Sequence, residues 1–264
     1  MSAETWRSLD SGPMPGAYNM ALDEAMLEAH LRGETSPTVR FYTWRPRAIS
    51  LGRFQEVASS LDLAACRDSG VHVVRRPTGG RAILHTEEEV TFSVVVSEER
   101  LGARGTMACY QALASAIVAG LRELGLEARL AERAGPWEAR PGVDPACFAV
   151  KARCDLVVGS SKLVGSAQLH RTGAILQQNS LPLRLHVEEW ARLFRRRAQP
   201  PAAVGLWEAA GSRLPYARVT EALRRGFERV FGVELADAEP TAAELQRASE
   251  LLSVADLLNV SAPA

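Results

Sequence analysis

Four cysteines in 264 residues, none of them in a CxxC pair, leave no disulfide framework and no thiolate cage for a metal. HExxH is missing too, so no structural or catalytic zinc is expected. Neither sign of charge is in excess. The 31 Lys plus Arg balance 31 Asp plus Glu, without the basic surplus of a nucleic-acid binder. No apolar run reaches the roughly 18 residues of a membrane span, and the opening MSAETWRSLDSGPMPG lacks the basic and apolar regions of a signal peptide. A cytoplasmic protein is therefore expected. GxxxxGK[ST] and GxGxxG are absent, which removes support for ordinary NTPase and dinucleotide readings. What is present is ordinary globular composition, 47% hydrophobic and 23% charged, in a chain sized for one large domain with at most a short extension.

Periodicity places the elements. Residues 19–31 (NMALDEAMLEAHL) carry apolar side chains at Leu22, Ala25, Met26 and Ala29, the stripe of an amphipathic helix. Residues 107–124 and 218–231 repeat that pattern, each followed by a glycine suited to a helix stop. A short helix is expected over 190–197, and TAAE at Thr241–Glu244 fits a capping box opening a last helix. TVRFYTW, AISLG, VHVVR and EVTFSVVV read as strands, while DLVV, KLVGSAQ and GAILQQNSLPL read as a three-stranded meander. Residues 134–146 hold three prolines and two glycines and form a loop ending at Cys147. Short connections between strands demand antiparallel pairing. The expected class is α+β, a mixed and mostly antiparallel sheet covered by helices, with a catalytic domain over 1–235 and a short helical extension over 236–264.

The chemistry gathers in VVRRPTGGRAILHTEEEVTFSVVV, residues 73–96, read as an oversized hairpin. Gly79 and Gly80 let backbone approach a ligand, with N–H groups able to face an anion. Arg75, Arg76 and Arg81 offer guanidinium groups for phosphate or carboxylate, and Thr78 a hydroxyl. A solvated arginine-rich hairpin is the commoner reading of such a loop alone. Gly165, Ser166 and Ala167, small residues in a β-branched region, leave room for a ligand against the sheet. Cys147, on a loop, and Lys162, at a strand start, would form a nucleophile–base pair if they met. Cys154 and Cys109 read as core residues, His85 as structural or catalytic, and Arg195–Arg197 as a solvated helix end.

Taken in order, NMALDEAML, RFYTWRPRAISLGRFQ, RRPTGGRAILHTEEEVTFSVV and DLVVGSSKLVGSAQLHRTGAILQQNSLPL resemble the lipoate–protein ligase and octanoyltransferase superfamily, over most of residues 16–183. Biotin–protein ligases share the fold, but their GRGRxGR loop does not match RRPTGGR. The likeness is greatest to LipM-type cysteine-dependent octanoyltransferases, whose nucleophile and lysine positions match Cys147 and Lys162. It departs from the family's Cys-Phe-x-x-Pro-Ser at Lys151 and from Gln-His-Gly-Ser at Gln177–Ser180.

The resemblance implies the biotin/lipoate ligase catalytic fold and transfer of octanoate from acyl carrier protein to a lysine of a lipoyl domain or glycine-cleavage H protein. Arg75, Thr78, Gly79, Gly80, Arg81, Ala82, His85, Gly165, Ser166 and Ala167 would bind substrate, and Ile83 and Val164 would line the acyl tunnel. No cofactor, metal, nucleic acid or membrane is implied. Two other readings stay open. An ATP-dependent lipoate ligase would need ATP and Mg and would be indifferent to Cys147. A non-catalytic binder of lipoyl domains or acyl carriers would form no acyl-enzyme.

Overall fold

The computed structural model describes residues 3–131, 155–195 and 203–257. The chain opens with β1 (Glu4–Met14), α1 (Gly16–Leu31), β2 (Thr38–Trp44) and β3 (Ala48–Leu51). The short helices α2 (Val57–Ser60) and α3 (Leu63–Asp68) lead to β4 (His72–Arg75), β5 (Ile83–His85) and β6 (Glu89–Ser97). Then come α4 (Glu98–Leu101), α5 (Thr106–Glu123), β7 (Ala128–Leu130), β8 (Leu156–Val158), β9 (Ser161–Arg171) and β10 (Ala174–Pro182). The remaining elements are α6 (Val187–Leu193), α7 (Leu206–Ala210), α8 (Tyr216–Phe231), β11 (Val233–Asp237) and α9 (Ala242–Ala255).

The described strands form two sheets. The larger runs β11-β1-β2-β6-β10-β9-β8-β7, and the smaller runs β4-β3-β5. In the larger sheet β1 pairs parallel with β11 and β2, and every other pairing is antiparallel. The mixed α+β class and the β8–β9–β10 meander agree with the sequence expectation.

Strand alternation assigns the two faces of the large sheet. Phe41 lies opposite Phe92 and Val39 opposite Val94, and these four join Leu113, Ile117, Leu223 and Phe227 of α5 and α8 in the largest apolar cluster. The neighbouring positions face the other way. Tyr42 and Ser180 flank Thr91, and Arg40 and Gln178 flank Ser93. That second face is covered by α1 and by the small sheet. Burial on both faces explains why EVTFSVVV is nearly continuous in apolar residues.

Residues 73–96 do not form a hairpin. β4 joins β3 in parallel, β5 joins the opposite edge of β3 antiparallel, and β6 belongs to the large sheet. The Gly-Gly connection therefore spans the end of β3 rather than turning back on its own strand. The expected 190–197 helix is also displaced, to Val187–Leu193. Phe194 turns extended, bridges Leu61 and packs against Trp190, while Arg195 donates to the Leu61 carbonyl. Burying Phe194 and pairing its backbone outweighs one more helical turn. Arg196 and Arg197 lie outside the described residues. At Thr241–Glu244 both capping-box bonds are present, and the Glu244 carboxylate also receives Arg7 at 2.8 Å.

Candidate active site

Between the two sheets lies a small cleft that opens to solvent. Met20 of α1, Tyr42 and Trp44 of β2, and Ile83 of β5 supply apolar wall. Gly165 and Ala167 line it because they sit opposite Ser180 and Gln178 on the covered face of β9. Their small size leaves the space open. Val164 was expected beside Ile83 in this wall, but it belongs to the α5/α8 cluster. One residue along a strand reverses the face, so the expectation is corrected.

The Gly-Gly loop is fixed from three sides. Arg76 donates to the carbonyls of Ser50, Gly79 and Arg81, and Arg75 Nη1 to those of Gly52, Arg53 and Gln55. Thr78 is buried, and its hydroxyl donates to Gln178 Oε1 at 2.7 Å. Gly80 adopts φ +87°, a left-handed backbone suited to glycine. Below it, a Cβ on Gly52 would stand 2.0 Å from the Gly80 carbonyl oxygen. Gly52→Ala is thus expected to push the loop out of place. A displacement of about 1 Å costs on the order of 100-fold in rate, so single-turnover activity at this cleft should fall by that much while the circular dichroism spectrum stays native. A variant within threefold of wild type would refute this.

Two buried polar networks flank the cleft. Asp23 of α1 accepts from Arg40 (2.8 Å), Tyr42 (2.9 Å), Ser93 (2.7 Å) and Gln178 Nε2 (2.7 Å). Burial, with the Asp23 carboxylate beside it, pushes the Tyr42 phenol far above its usual range, so it remains a donor. The second network centres on His85, stacked on Trp44 at 3.8 Å between ring centroids. Its Nδ1 meets the Glu89 carboxylate at 3.0 Å and its Nε2 meets Ser50 Oγ at 2.8 Å. A carboxylate only accepts, so Nδ1 carries a proton and donates to Glu89.

Lys162 begins the buried part of β9. Its Nζ pairs with Asp155 Oδ2 at 2.9 Å, with both side chains at most 2% exposed. Cys147 and Cys154 lie outside the described residues. Of the cysteines within them, burial pushes the Cys66 thiol up to about 11 and raises that of Cys109 as well. Neither is a ready thiolate.

Of the residues singled out from sequence, Gly80, His85, Gly165, Ser166 and Ala167 meet at the cleft. Arg75, Thr78 and Gly79 build the loop beside it. Ala82 is buried in the apolar cluster of the small sheet. Among the described residues Arg81 keeps a buried Nη1 without a hydrogen-bond partner, a donor left over for an anion.

The family model for the lipoyl protein ligase A/B catalytic domain matches residues 15–228, which include every strand lining the cleft. The chain belongs to that family. The octanoyltransferase LipM of Kyrpidia tusciae is similar to it, 40% identical over 95% of this chain and 96% of that one. Octanoyltransferase LipM of Bacillus subtilis is 36% identical, over 93% of each. Among solved structures, a putative lipoate protein ligase from T. acidophilum with bound lipoic acid superposes with a TM-score of 0.76 at 25% identity, covering 96% of both chains. A lipoate-protein ligase A bound with ATP gives 0.78 at 24% identity over 96% and 95%, which shows the shared fold.

Several site residues of this family member escaped the sequence reading: Asp23, Ser50, Glu89, Asp155, Gln178 and Ser180. A signal was present. Arg40/Tyr42 and Thr91/Ser93 each repeat polar side chains at a spacing of two inside strands whose other face is largely apolar, and Gln178/Ser180 continue the stripe in β10 beside the polar Gln177 and Asn179. Such a stripe on buried strands marks a polar site between layers.

Proposed function

We propose that this chain is a protein octanoyltransferase of lipoate biosynthesis, moving octanoate from acyl carrier protein to a lipoyl-domain lysine through a thioester on Cys147. The observation that carries the reading is the apolar cleft lying on the same strand as the buried Lys162–Asp155 pair, in a chain so like the LipM octanoyltransferases. Burying the methylenes of an octanoyl chain at about 0.8 kcal/mol each contributes roughly 5 kcal/mol.

The Cys147 thiolate attacks the thioester carbonyl, and the C–S bond to the carrier's phosphopantetheine breaks. The Lys162 ammonium gives its proton to the departing thiolate, which leaves as the thiol. The acceptor amine then attacks the acyl-cysteine, the second C–S bond breaks, and the neutral Lys162 takes the amine's proton. Cys147 thiolate and Lys162 ammonium are restored. Asp155 holds the Lys162 nitrogen in place throughout. Thioester exchanges for thioester, so no ATP is consumed. Arg81 faces the phosphate of the carrier arm. The acceptor is a lipoyl domain or glycine-cleavage H protein, met in the cytoplasm.

Intact-mass spectrometry after mixing the protein with octanoyl-acyl carrier protein, without ATP, tests this. The wild type should gain one octanoyl group that hydroxylamine removes, and Cys147→Ala should gain none. Acceptor modification that appears only with ATP, Mg and free acid would replace this reading with a ligase.

A further inference from the structure

The polar side chains around the cleft are almost all engaged with one another. Ser50 Oγ accepts from Arg76 and meets His85. Thr91 accepts from Trp44 Nε1 and donates to Glu89. Ser166 donates to Asn179, Tyr42 donates to Asp23, and Gln178 is held at both ends by Thr78 and Asp23. Ser180 stands apart among the described residues lining this cleft. Its Oγ has no hydrogen-bond partner among the described residues, although Ser180 is only 2% exposed. Protein interiors rarely leave a buried hydroxyl unpaired, and one that faces a cavity points to a polar atom supplied by the ligand.

Register decides which ligand atom that is. Ser180 lies opposite Gly165, which has no side chain to fill the space between them. Gln178 and Ala167 are the next pair on this face. Lys162 precedes Gly165 by three residues, about 10 Å along the strand. Ser180 therefore sits at the Lys162 end of the cleft and Gln178 at the far end. An acyl chain has one hydrogen-bond acceptor, its carbonyl oxygen, and that oxygen belongs at the end where transfer occurs.

We propose that the Ser180 hydroxyl donates a hydrogen bond to the carbonyl oxygen of the bound acyl group, holding the head of the chain toward Lys162 and its tail toward Ala167 and Met20. The inference rests on the acyl-transfer reading. As the thioester is attacked, the oxygen gains negative charge, so the same bond strengthens toward the transition state.

Two non-transferable octanoyl-pantetheine analogues separate the possibilities. One replaces the thioester sulfur by NH and keeps the carbonyl. The other replaces the carbonyl by a methylene. Titration calorimetry on the wild type and Ser180→Ala should show about a tenfold loss of affinity for the carbonyl analogue alone, with the methylene analogue bound equally by both. Acylation by octanoyl-pantetheine should slow by about 100-fold in the same variant. Ser180→Thr keeps the hydroxyl and should retain the preference. The alanine removes no internal bond, so its melting temperature should not fall. Equal binding of the carbonyl analogue by wild type and Ser180→Ala, or equal loss of both analogues, would overturn the role of Ser180 and leave acyl transfer standing. Wild-type protein that binds neither analogue and gains no octanoyl adduct would overturn the acyl-transfer reading itself.

Discussion

Lys162→Met should lose acyl transfer by about 100- to 10,000-fold, the usual contribution of a positioned proton carrier, and should also lose stability. The two losses have different causes. Asp155 and Lys162 are both almost wholly buried and 2.9 Å apart. Removing one member of a buried pair leaves the other charge uncompensated, at about 3–5 kcal/mol. Replacing both by apolar side chains commonly restores stability. Lys162→Met/Asp155→Leu is therefore expected to regain most of the urea midpoint while remaining inactive in a single-turnover assay with octanoyl-acyl carrier protein. If activity returned along with stability, Lys162 would be a packing element and the proton-transfer role would be lost.

Asp23→Ala is expected to lose stability on the same scale as Lys162→Met. The Arg40 side chain it faces is fully buried, and its Nη1 donates to Asp23 at 2.8 Å. Without the carboxylate that guanidinium loses its counter-charge, and Tyr42, Ser93 and Gln178 lose an acceptor. A loss of about 3–5 kcal/mol follows, out of the roughly 5–15 kcal/mol that hold a typical domain folded. At about 2–4 °C per kcal/mol for a chain of this size, the melting temperature should drop by roughly 10 °C. Gln178 also ties Asp23 to Thr78, so the Gly-Gly loop loosens with it. Tyr42→Phe removes one donor and leaves the ion pair, and should cost only about 1 kcal/mol. Scanning calorimetry on the two variants checks the ordering. A shift under 2 °C for Asp23→Ala would refute it.

Local pattern was enough for the elements whose one apolar face packs on a neighbour. α1, α5 and α8 begin and end within three residues of where their stripes and stop glycines put them, and the meander and capping box follow from turn and cap chemistry alone. β1 and β11 escaped. β1 carries Gly12 and Pro13 near a register shift, and β11 is a half-exposed edge strand. The residue types of the site were legible as well: the Gly-Gly loop, the small residues of β9, Lys162 and His85. Their arrangement was not. That the loop spans β3, that Val164 turns away while Gly165 opens the cleft, and that Lys162 holds Asp155 depend on strand register and on which face each sheet presents. Register is set by contacts between residues far apart in sequence, such as Ser180 with Gly165 and with Thr91. A hydroxyl is polar wherever it stands in a sequence; only the packed layers around Ser180 decide that it has no partner among the described residues.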